Sequence, residues 1–262
     1  MAFFECNIQD EDFYNLNRRT RRDITNDLAN LPTAVAEQNL AKYGYTIGDY
    51  FTGSSHSMTQ ETYSNGTVTT STVSVKFTYH LADMNHEKGT VTPYAITQDH
   101  IALLVDTHVM RQWHSEDAST VGYNGSKLHT WLKGDVLNAI KQDMIALFGG
   151  STGLEHLLSN SKLLTTTLVN WAWQESQYIV APSEIEVYGN TVWSANGYQT
   201  GQQAKKLEIF DKYKWTEILD REYVWLKDMQ AESFACYVDY SGYANRGRVV
   251  YTAFAVGLIN FY

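Results

Sequence analysis

The chain has 262 residues, a net charge of −9 and a pI near 5.3, and 44% of its residues are hydrophobic. This length can bury a full core, either as one domain with additions or as two small domains. The acidic balance argues against nucleic acid as the main partner, because phosphate binding needs clustered Lys and Arg. The two cysteines exclude a disulfide-rich scaffold. We expect neither a signal peptide nor membrane insertion, because the start lacks a basic segment before an apolar one and no apolar run reaches roughly 18 residues.

The N-terminal segment is predicted to be helical over residues 11–43, with a thin apolar stripe that breaks at Pro32. A helix this polar usually packs on a partner or on a copy of itself. We therefore interpret residues 1–42 as a helical attachment arm; a solvated helix face is the alternative for its basic cluster. The arm residues predicted to attach are Arg18, Arg19, Arg21 and Arg22.

A β-hairpin is predicted over about residues 54–81, as an insertion in a domain that fills residues 43–262. Asn65-Gly66 is the strongest short hairpin turn. The segment "SVKFTYHL" after it alternates apolar and polar residues, which indicates a half-buried strand. The continuous apolar run Ile101–Val105 instead predicts a strand buried on both faces.

Two helices have clear boundary signals. The first begins after Ser126, a good N-cap, and ends at Gly149. The second follows the capping box of Ser183 and Glu186 and ends at Gly189. A further short helix is predicted in "QQAKKLEIFDKYKW". The C-terminal strands are predicted in "YVWLKD", "FACYVDYSG" and "RVVYTAFAVGLINFY".

The common catalytic motifs are missing from the sequence. It contains no GxSxG, HExxH or phosphate-loop pattern. Histidines such as His80 and His108 have no ligand partners at convincing spacing along the chain. We therefore expect no catalytic residue, no cofactor and no metal site, and a structural calcium held by backbone and carboxylate oxygens stays an open alternative.

The order of the motifs "GDYF", "LLVD", "LHTWL", "APSEIEVYG", "WL" and "GLINF" resembles a domain family of unknown function that is common in phages and Firmicutes. The C-terminus of that family reads roughly W-L-R-S … G-V-R-P. The pattern is also similar to the variable proteins of diversity-generating retroelements and to the formylglycine-generating, sulfatase-modifying superfamily. The resemblance covers about residues 45–262 without the hairpin. This chain departs from it with "WLKD" and "GLIN" in the two C-terminal motifs.

The resemblance implies an α+β, C-type lectin-like fold with mixed twisted sheets, two main helices, and paired N- and C-terminal strands of the domain. Here that pairing would join Thr46–Phe51 to Val256–Phe261 and would bury the apolar C-terminal residues. The formylglycine-generating relatives need several cysteines, whereas Cys236 stands alone in the lectin-like part. The sugar-binding motifs EPN or QPD and WND are also absent, so we expect neither that enzyme nor calcium-mediated sugar binding.

The resemblance also implies a ligand surface between Trp225 and Gly257. The segment is rich in Tyr, Asp, Asn and Arg, a composition typical of antibody paratopes. The alternative is that its tyrosines fill the core or only decorate a turn. The predicted ligand-binding residues are Lys227, Asp228, Gln230, Asp239, Tyr240, Tyr243, Asn245, Arg246 and Arg248.

These features together favour a non-enzymatic phage virion protein, made in the host cytoplasm, that serves as a tail or fibre receptor-binding component or as a capsid decoration. Its arm would bind other virion proteins, and its domain a host-surface protein or glycan. A homo-oligomer is expected, with a trimer as the guess. The alternatives are a bacterial surface adhesion protein of the same fold and, third, a formylglycine-generating-like enzyme.

Overall fold

The computed structural model describes residues 20–86, 88–89, 96–116, 122–157, 160–167, 170–194 and 205–262. This part is α+β and is dominated by a mixed sheet of seven strands in the order β1-β2-β3-β9-β6-β7-β8, with β4 and β5 as a separate pair. The strands are β1 (Tyr50–Ser64), β2 (Thr67–Met84), β3 (Ile101–Gln112), β4 (Asn160–Thr167), β5 (Asn170–Gln177), β6 (Val224–Ala231), β7 (Phe234–Val238), β8 (Ala244–Arg248) and β9 (Thr252–Phe261).

The helices are short except for one. In the described part of the chain no helix is both long and apolar enough to cross a membrane. The α-helices are α1 (Leu31–Ala36), α2 (Lys127–Trp131), α3 (Leu137–Phe148), α4 (Thr152–Glu155), α5 (Glu184–Tyr188), α6 (Glu208–Lys212) and α7 (Trp215–Ile218). A π-turn, Leu132–Val136, makes α2 and α3 continuous, and 3₁₀ turns lie at Ala41–Tyr43 and Tyr123–Gly125.

The predicted hairpin is confirmed. Strands β1 and β2 pair antiparallel from Tyr50↔His80 to Ser64↔Thr67, around the turn at Asn65 and Gly66. Asn65 and Gly66 both have positive φ, 49° and 82°, as a tight hairpin turn requires. The apolar face of β2 is buried at Phe77 and Tyr79, where the strand lies over the core.

The predicted pairing of Thr46–Phe51 with Val256–Phe261 is wrong. Strand β9 lies between β3 and β6, antiparallel to β3 from Ile101↔Phe261 onward and parallel to β6 at Val224↔Phe254. The β1–β2 hairpin stands outside β3, so two strands separate β1 from β9. The physical reason lies in β3, whose run Ile101–Val105 is buried on both faces and therefore occupies an interior position in the sheet, between β2 and β9.

The N-terminal helix prediction is wrong over residues 20–30. This stretch is irregular and lies along the edge strand β1, where Ile24 N donates to Tyr50 O at 2.8 Å and Tyr50 N donates to Arg22 O at 3.0 Å. Ile24 and Leu28 are buried in the common core, which an exposed helix would not achieve. Among the described residues the first helix is α1, with Pro32 in its first turn. Arg18 and Arg19 lie outside the described residues.

The helix predicted between Ser126 and Gly149 is confirmed as α2, the π-turn and α3. Ser126 Oγ accepts from His129 N at 3.0 Å, and Gly149 ends the helix with φ of 88°. Asp143 fixes α3 over the hairpin, because its buried carboxylate accepts from Ser54 N, His56 Nε2 and Tyr79 Oη at 2.8, 2.9 and 2.6 Å. The helix thereby covers the inner face of β1 and β2.

Strands β4, β5 and β8 were not predicted. Strand β8 carries the letters "ANRGR", which suggest a turn, yet it pairs in register with β7 from Phe234↔Arg248 to Val238↔Ala244. Backbone hydrogen bonds set its conformation despite weak strand propensity. Strand β8 forms an outer edge of the seven-stranded sheet, and the turn before it shapes the candidate site.

Candidate binding site

A cleft of about 260 Å³ lies between α5, the α6–α7 region and the β7–β8 turn. We call it the Tyr188 cleft. Its residues come from three separate parts of the chain, so the fold and not a local motif creates it. The cleft is lined by Val187, Tyr188, Lys206, Phe210, Tyr213, Lys214, Trp215, Thr216, Ser241 and Gly242.

Aromatic rings form much of the lining. Phe210 and Trp215 stack with ring centroids 5.1 Å apart and planes inclined by 26°. Trp215 is 6% exposed, and its indole Nε1 has no hydrogen-bond partner among the described residues. Buried polar groups normally have partners, so a buried water is the expected partner of this indole N–H.

Polar groups stand around these rings. The Tyr188 hydroxyl donates to Gly242 O at 3.2 Å and so ties α5 to the β7–β8 turn. Burial, together with Glu184 and Asp239 nearby, raises the pKa of Tyr188 above its usual range, so the hydroxyl keeps its proton. Lys206 forms an ion pair with Asp211 at 2.9 Å, and Lys214 supplies a second cationic side chain. The cleft therefore offers donors and positive charge beside flat apolar surface.

The turn at residues 239–243 is rigid. Asp239 Oδ1 accepts from Ser241 N at 2.9 Å and from Tyr243 N at 3.0 Å, and Asp239 O accepts from Gly242 N at 2.8 Å. Gly242 has φ of 88°, and an added Cβ would lie 3.3 Å from Trp215 Cβ, so both conformation and space favour glycine. This turn displays Tyr240 and Tyr243, which are 54% and 72% exposed.

A second aromatic contact lies on β8. The Arg246 guanidinium stacks over the Trp193 ring, 4.4 Å from its centroid, and Trp193 Nε1 donates to Ala244 O at 3.1 Å. The Trp193 backbone is held by buried Glu184, whose carboxylate accepts from Val192, Trp193 and Ser194 N at 2.9 to 3.0 Å. The Trp193–Arg246 pair is thus a fixed feature of the surface.

Comparison with protein families found one match, to the model described as Domain of unknown function (DUF6273), over residues 96–257. That match covers more than half of the 262 residues. The chain belongs to the DUF6273 family. Comparison with curated proteins and with solved structures found no similar protein in either set. The DUF6273 segment runs from just before β3 into β9 and contains every residue of the Tyr188 cleft, whereas the β1–β2 hairpin lies outside it.

Two of the predicted ligand residues are buried inside the DUF6273 segment. Lys227 and Asp228 are each 1% exposed. Lys227 Nζ lies 3.1 Å from Glu186 Oε2, and Asp228 Oδ2 accepts from Glu184 N at 2.6 Å. We call Glu184, Glu186, Lys227 and Asp228 the α5–β6 corner. Because side chains cover both faces of β6, this part of the predicted ligand surface is wrong.

The other predicted ligand-binding residues lie in different environments. Asp239 is occupied in holding its turn. Arg246 and Asn245 are neighbours on β8 and therefore point to opposite faces of the sheet, with Arg246 on the side of Trp193. Gln230 and Arg248 are half-buried. Only Tyr240 and Tyr243 stand at the turn that borders the cleft, and their binding role stays a prediction.

Sequence reasoning missed the aromatic and lysine residues from Lys206 to Trp215. The signal was present in "KKLEIFDKYKW", which combines four lysines with three aromatic residues. This composition predicted a helix but gave no indication that the same residues face a cleft. Only the position of the segment opposite the 239–243 turn creates the site.

One further group of side chains in the described part of the chain could hold a metal ion. Asp106, His108 and Glu222 place one ligand atom each within 4.8 Å of one another. We call them the 106–108–222 cluster. His108 had been set aside at the sequence level because no partner stood at ligand spacing. Glu222 lies more than a hundred residues further along the chain, so spacing could not reveal it.

Proposed function

We propose that this DUF6273 protein is a non-enzymatic recognition protein that binds its ligand in the Tyr188 cleft and on the adjoining 239–243 turn. The observation that carries the proposal is that the Tyr188 cleft and the 239–243 turn are continuous. Ser241 and Gly242 line the cleft, and the tyrosines on either side of them are strongly exposed. Rigid turns that present Tyr supply large contact area at low entropic cost.

An acidic glycan suits this site best. The volume of about 260 Å³ falls just below the roughly 300–1,000 Å³ of pockets for drug-sized molecules, so the cleft suits one sugar unit of a longer chain. Aromatic faces pack against the C–H faces of a sugar ring, and Trp215 and Phe210 supply such faces in the lining. Lys206 and Lys214 favour a carboxylate or phosphate substituent.

The C-type lectin-like fold is part of the proposal. Within the DUF6273 segment and the rest of β9, the first strand is β3 and the last is β9, and these two pair antiparallel. This pairing supports the proposal, although it does not involve Thr46–Phe51, the segment that was predicted to pair with the C-terminal strand. The contact of "WLKD" with "APSEIEVYG" through Lys227 and Glu186 adds support, because both are motifs of the resemblance.

We also propose that the protein is a virion component, as the resemblance to phage proteins favours, and that it assembles as a homo-oligomer, with a trimer as the working number. Residues 1–42 would attach it to other virion proteins. Arg21 Nε donates to Gly48 O at 2.9 Å, and Arg22 Nη2 donates to Gly44 O at 3.0 Å. These two arginines therefore hold the segment to its own domain, which leaves Arg18 and Arg19 for a partner.

The ligand site can be tested by adsorption. We expect the double variant Tyr240→Ala/Tyr243→Ala to melt like the wild type and to bind host cells or an arrayed acidic glycan at least about thirtyfold more weakly, the effect of losing 2 kcal/mol. Tyr251→Ala is the matched control, because Tyr251 is 40% exposed but lies beyond the far end of β8. Equal loss in the control variant, or no loss in the double variant, would contradict the proposed site.

The virion role needs a separate experiment. A chain that lacks residues 2–19 keeps the contacts of Arg21, Arg22, Ile24 and Leu28 and should fold normally. We expect mass spectrometry to find the full-length chain in purified particles and the shortened chain only in the lysate. Recovery of the full-length chain in the cell envelope, and not in particles, would favour the adhesion alternative.

A further inference from the structure

The 106–108–222 cluster lies where two irregular pieces of backbone meet. The register between β3 and β9 shifts between Asp106 and Met110, and within this shift His108 has φ of 54°. Glu222 follows a turn in which Asp220 and Arg221 also have positive φ, 44° and 61°. These departures from regular strand geometry turn an imidazole and two carboxylates toward one another.

The spacing of the atoms suits a shared ion better than direct hydrogen bonds. Asp106 Oδ2 lies 3.5 Å from His108 Nδ1. Two ligands bound tetrahedrally at about 2.1 Å lie about 3.4 Å apart, so this pair already has that separation. The three ligand atoms lie within 4.8 Å of one another, and a bound ion allows at most about 4.2 Å, so a small side-chain rotation completes the site.

The remaining imidazole nitrogen has the outer contact that metal-bound histidines usually make. His108 Nε2 lies 3.3 Å from Thr78 Oγ1 on the neighbouring strand β2. A donor bond from Nε2–H to this hydroxyl fixes the tautomer in which Nδ1 carries the lone pair for a metal. The imidazole is therefore oriented with its free nitrogen toward Asp106.

The Glu222 carboxylate has no ion pair with a lysine or arginine in the part of the chain that the structure describes. Glu222 Oε2 is buried and has no partner among the described residues. Like charges buried together are costly unless an ion neutralises them.

An unpartnered histidine on the same face of the sheet is a second and independent observation. His80 is 3% exposed, and Arg21 Nη2 donates to its Nδ1 at 2.6 Å, so its proton is on Nε2. That Nε2–H has no acceptor among the described residues. His80 and Thr78 lie two residues apart on β2, so both belong to the face that carries His108. Water in an open coordination position of a bound ion is a suitable acceptor.

We propose that Asp106, His108 and Glu222 bind one divalent transition-metal ion of the zinc class and that His80 donates to a water molecule on that ion. Imidazole nitrogen and carboxylate oxygen are both zinc ligands, and zinc sites with three protein ligands keep a fourth position for water. Calcium needs six to eight oxygen ligands, and magnesium needs a near-ideal octahedron of oxygens. The ion would link strand β3 to the turn that contains Glu222.

The test uses the full-length chain without a histidine tag, stripped of metal with EDTA. We expect calorimetric titration with Zn²⁺ to show one site and the melting temperature to rise by about 5 °C or more at a hundredfold excess over Kd. Ca²⁺ should have no effect. His108→Asn, which tolerates positive φ, and Glu222→Gln should each weaken Zn²⁺ binding by about a hundredfold or more.

Matched variants outside the cluster are His114→Asn and Glu232→Gln, which should bind Zn²⁺ like the wild type. The His80→Phe variant should keep the single site with weaker affinity, because only a water contact is lost. The proposal is overturned if the wild type binds no Zn²⁺, if it responds to Ca²⁺ instead, or if His108→Asn and Glu222→Gln bind as tightly as their controls.

Discussion

The α5–β6 corner and the 106–108–222 cluster both bury carboxylates beside the central sheet, but their electrostatics differ. In the corner, Glu186 Oε2 accepts from Ser183 N at 2.6 Å and faces Lys227 Nζ, while Oε1 lies 3.2 Å from His86 Nε2. Although burial acts to raise the pKa of Glu186, Lys227 and His86 hold it well below its usual range. In the cluster no lysine or arginine forms an ion pair with Glu222 among the described contacts, and burial, then Asp106 and Asp220, raise the pKa of Glu222.

This difference separates a structural ion pair from a site suited to a ligand. A buried carboxylate that is fully bonded ties its elements together, and removing its partner is strongly destabilising. A buried carboxylate that faces like charges is a cost in the folded protein, which binding of a cation can offset. Substitutions in the two regions should therefore change stability in opposite directions, and the predictions below use this contrast.

The largest effect is expected in the corner. Lys227→Met leaves the Glu186 carboxylate buried without its cation and should lower the free energy of unfolding by about 3–5 kcal/mol. The double variant Lys227→Met/Glu186→Gln should recover much of this loss, because no unpaired charge remains. Urea unfolding gives both values. A single variant that is as stable as the double variant would show that the pair carries no structural charge coupling.

The second prediction concerns Asp228, which is the exception inside the corner. Burial and Glu184 raise the pKa of Asp228 to about 8, against the opposing effect of Lys227. The folded carboxyl therefore keeps a proton that the unfolded chain releases above about pH 4, so raising the pH to 8 costs stability. The variant Asp228→Asn escapes this cost.

We expect Asp228→Asn to exceed the wild type in stability at pH 8, and by at least about 1.4 kcal/mol more than at pH 5, the energy of one pKa unit. Asp211→Asn, at an exposed carboxylate on α6, should show no such dependence on pH. Urea unfolding at both pH values is the measurement. Equal differences at pH 5 and pH 8 would mean that Asp228 is ionised throughout.

A smaller loss is expected at the start of α5. Ser183 Oγ accepts from Glu186 N at 3.2 Å and completes the capping box. Ser183→Ala should cost about 1 kcal/mol. Ser151, at the start of α4, makes no side-chain capping bond, so Ser151→Ala should leave stability unchanged. Similar losses in both variants, measured by thermal unfolding, would assign the effect to helix propensity and not to the cap.

The smallest change is expected in the cluster, and in the opposite direction. In the presence of EDTA, Glu222→Gln should leave the free energy of unfolding unchanged or raise it by less than about 1 kcal/mol, since repulsion from Asp106 and Asp220 is relieved. Glu232→Gln, on the exposed β6–β7 turn, should have no effect. A loss of several kcal/mol in Glu222→Gln would place the cluster with the corner as a structural network.

The features predicted correctly from the sequence are local ones. The hairpin turn at Asn65, the cap at Ser126 and the capping box at Ser183 each depend on a few consecutive residues. Strand order is not a local feature, because β9 pairs with β3, which lies about 150 residues earlier. The pattern of apolar and polar residues in either strand does not indicate which strand it pairs with. The N-terminal helix prediction failed over residues 20–30, because burial of Ile24 and Leu28 against β1 outweighed weak helix propensity.

The positions of the candidate-site residues in the fold were predicted in part for the same reason. Glycine at 242 predicts a tight turn, so the exposure of Tyr240 and Tyr243 followed from the sequence. Lys227 and Asp228 were wrongly predicted to be exposed because residues 224–229 are buried on both faces. A strand of this kind lacks the alternation of apolar and polar residues that would show which side chains face solvent. The Tyr188 cleft and the 106–108–222 cluster assemble residues distant in the chain, which only the fold brings together.

The central position of β9 has a consequence for the kinetics of folding. Strands β1, β2 and β3 can pair as one antiparallel group and β6, β7 and β8 as another, since each group is joined through short or moderate connections. Strand β9 pairs with both groups, and its contacts with β3, such as Ile101↔Phe261, span most of the chain. Contacts this distant in sequence slow folding, because loop-closure entropy is lost before the contact forms. Until β9 docks, the inner edges of β3 and β6 are unpaired apolar strands, so refolding should be slow and prone to aggregation at high protein concentration.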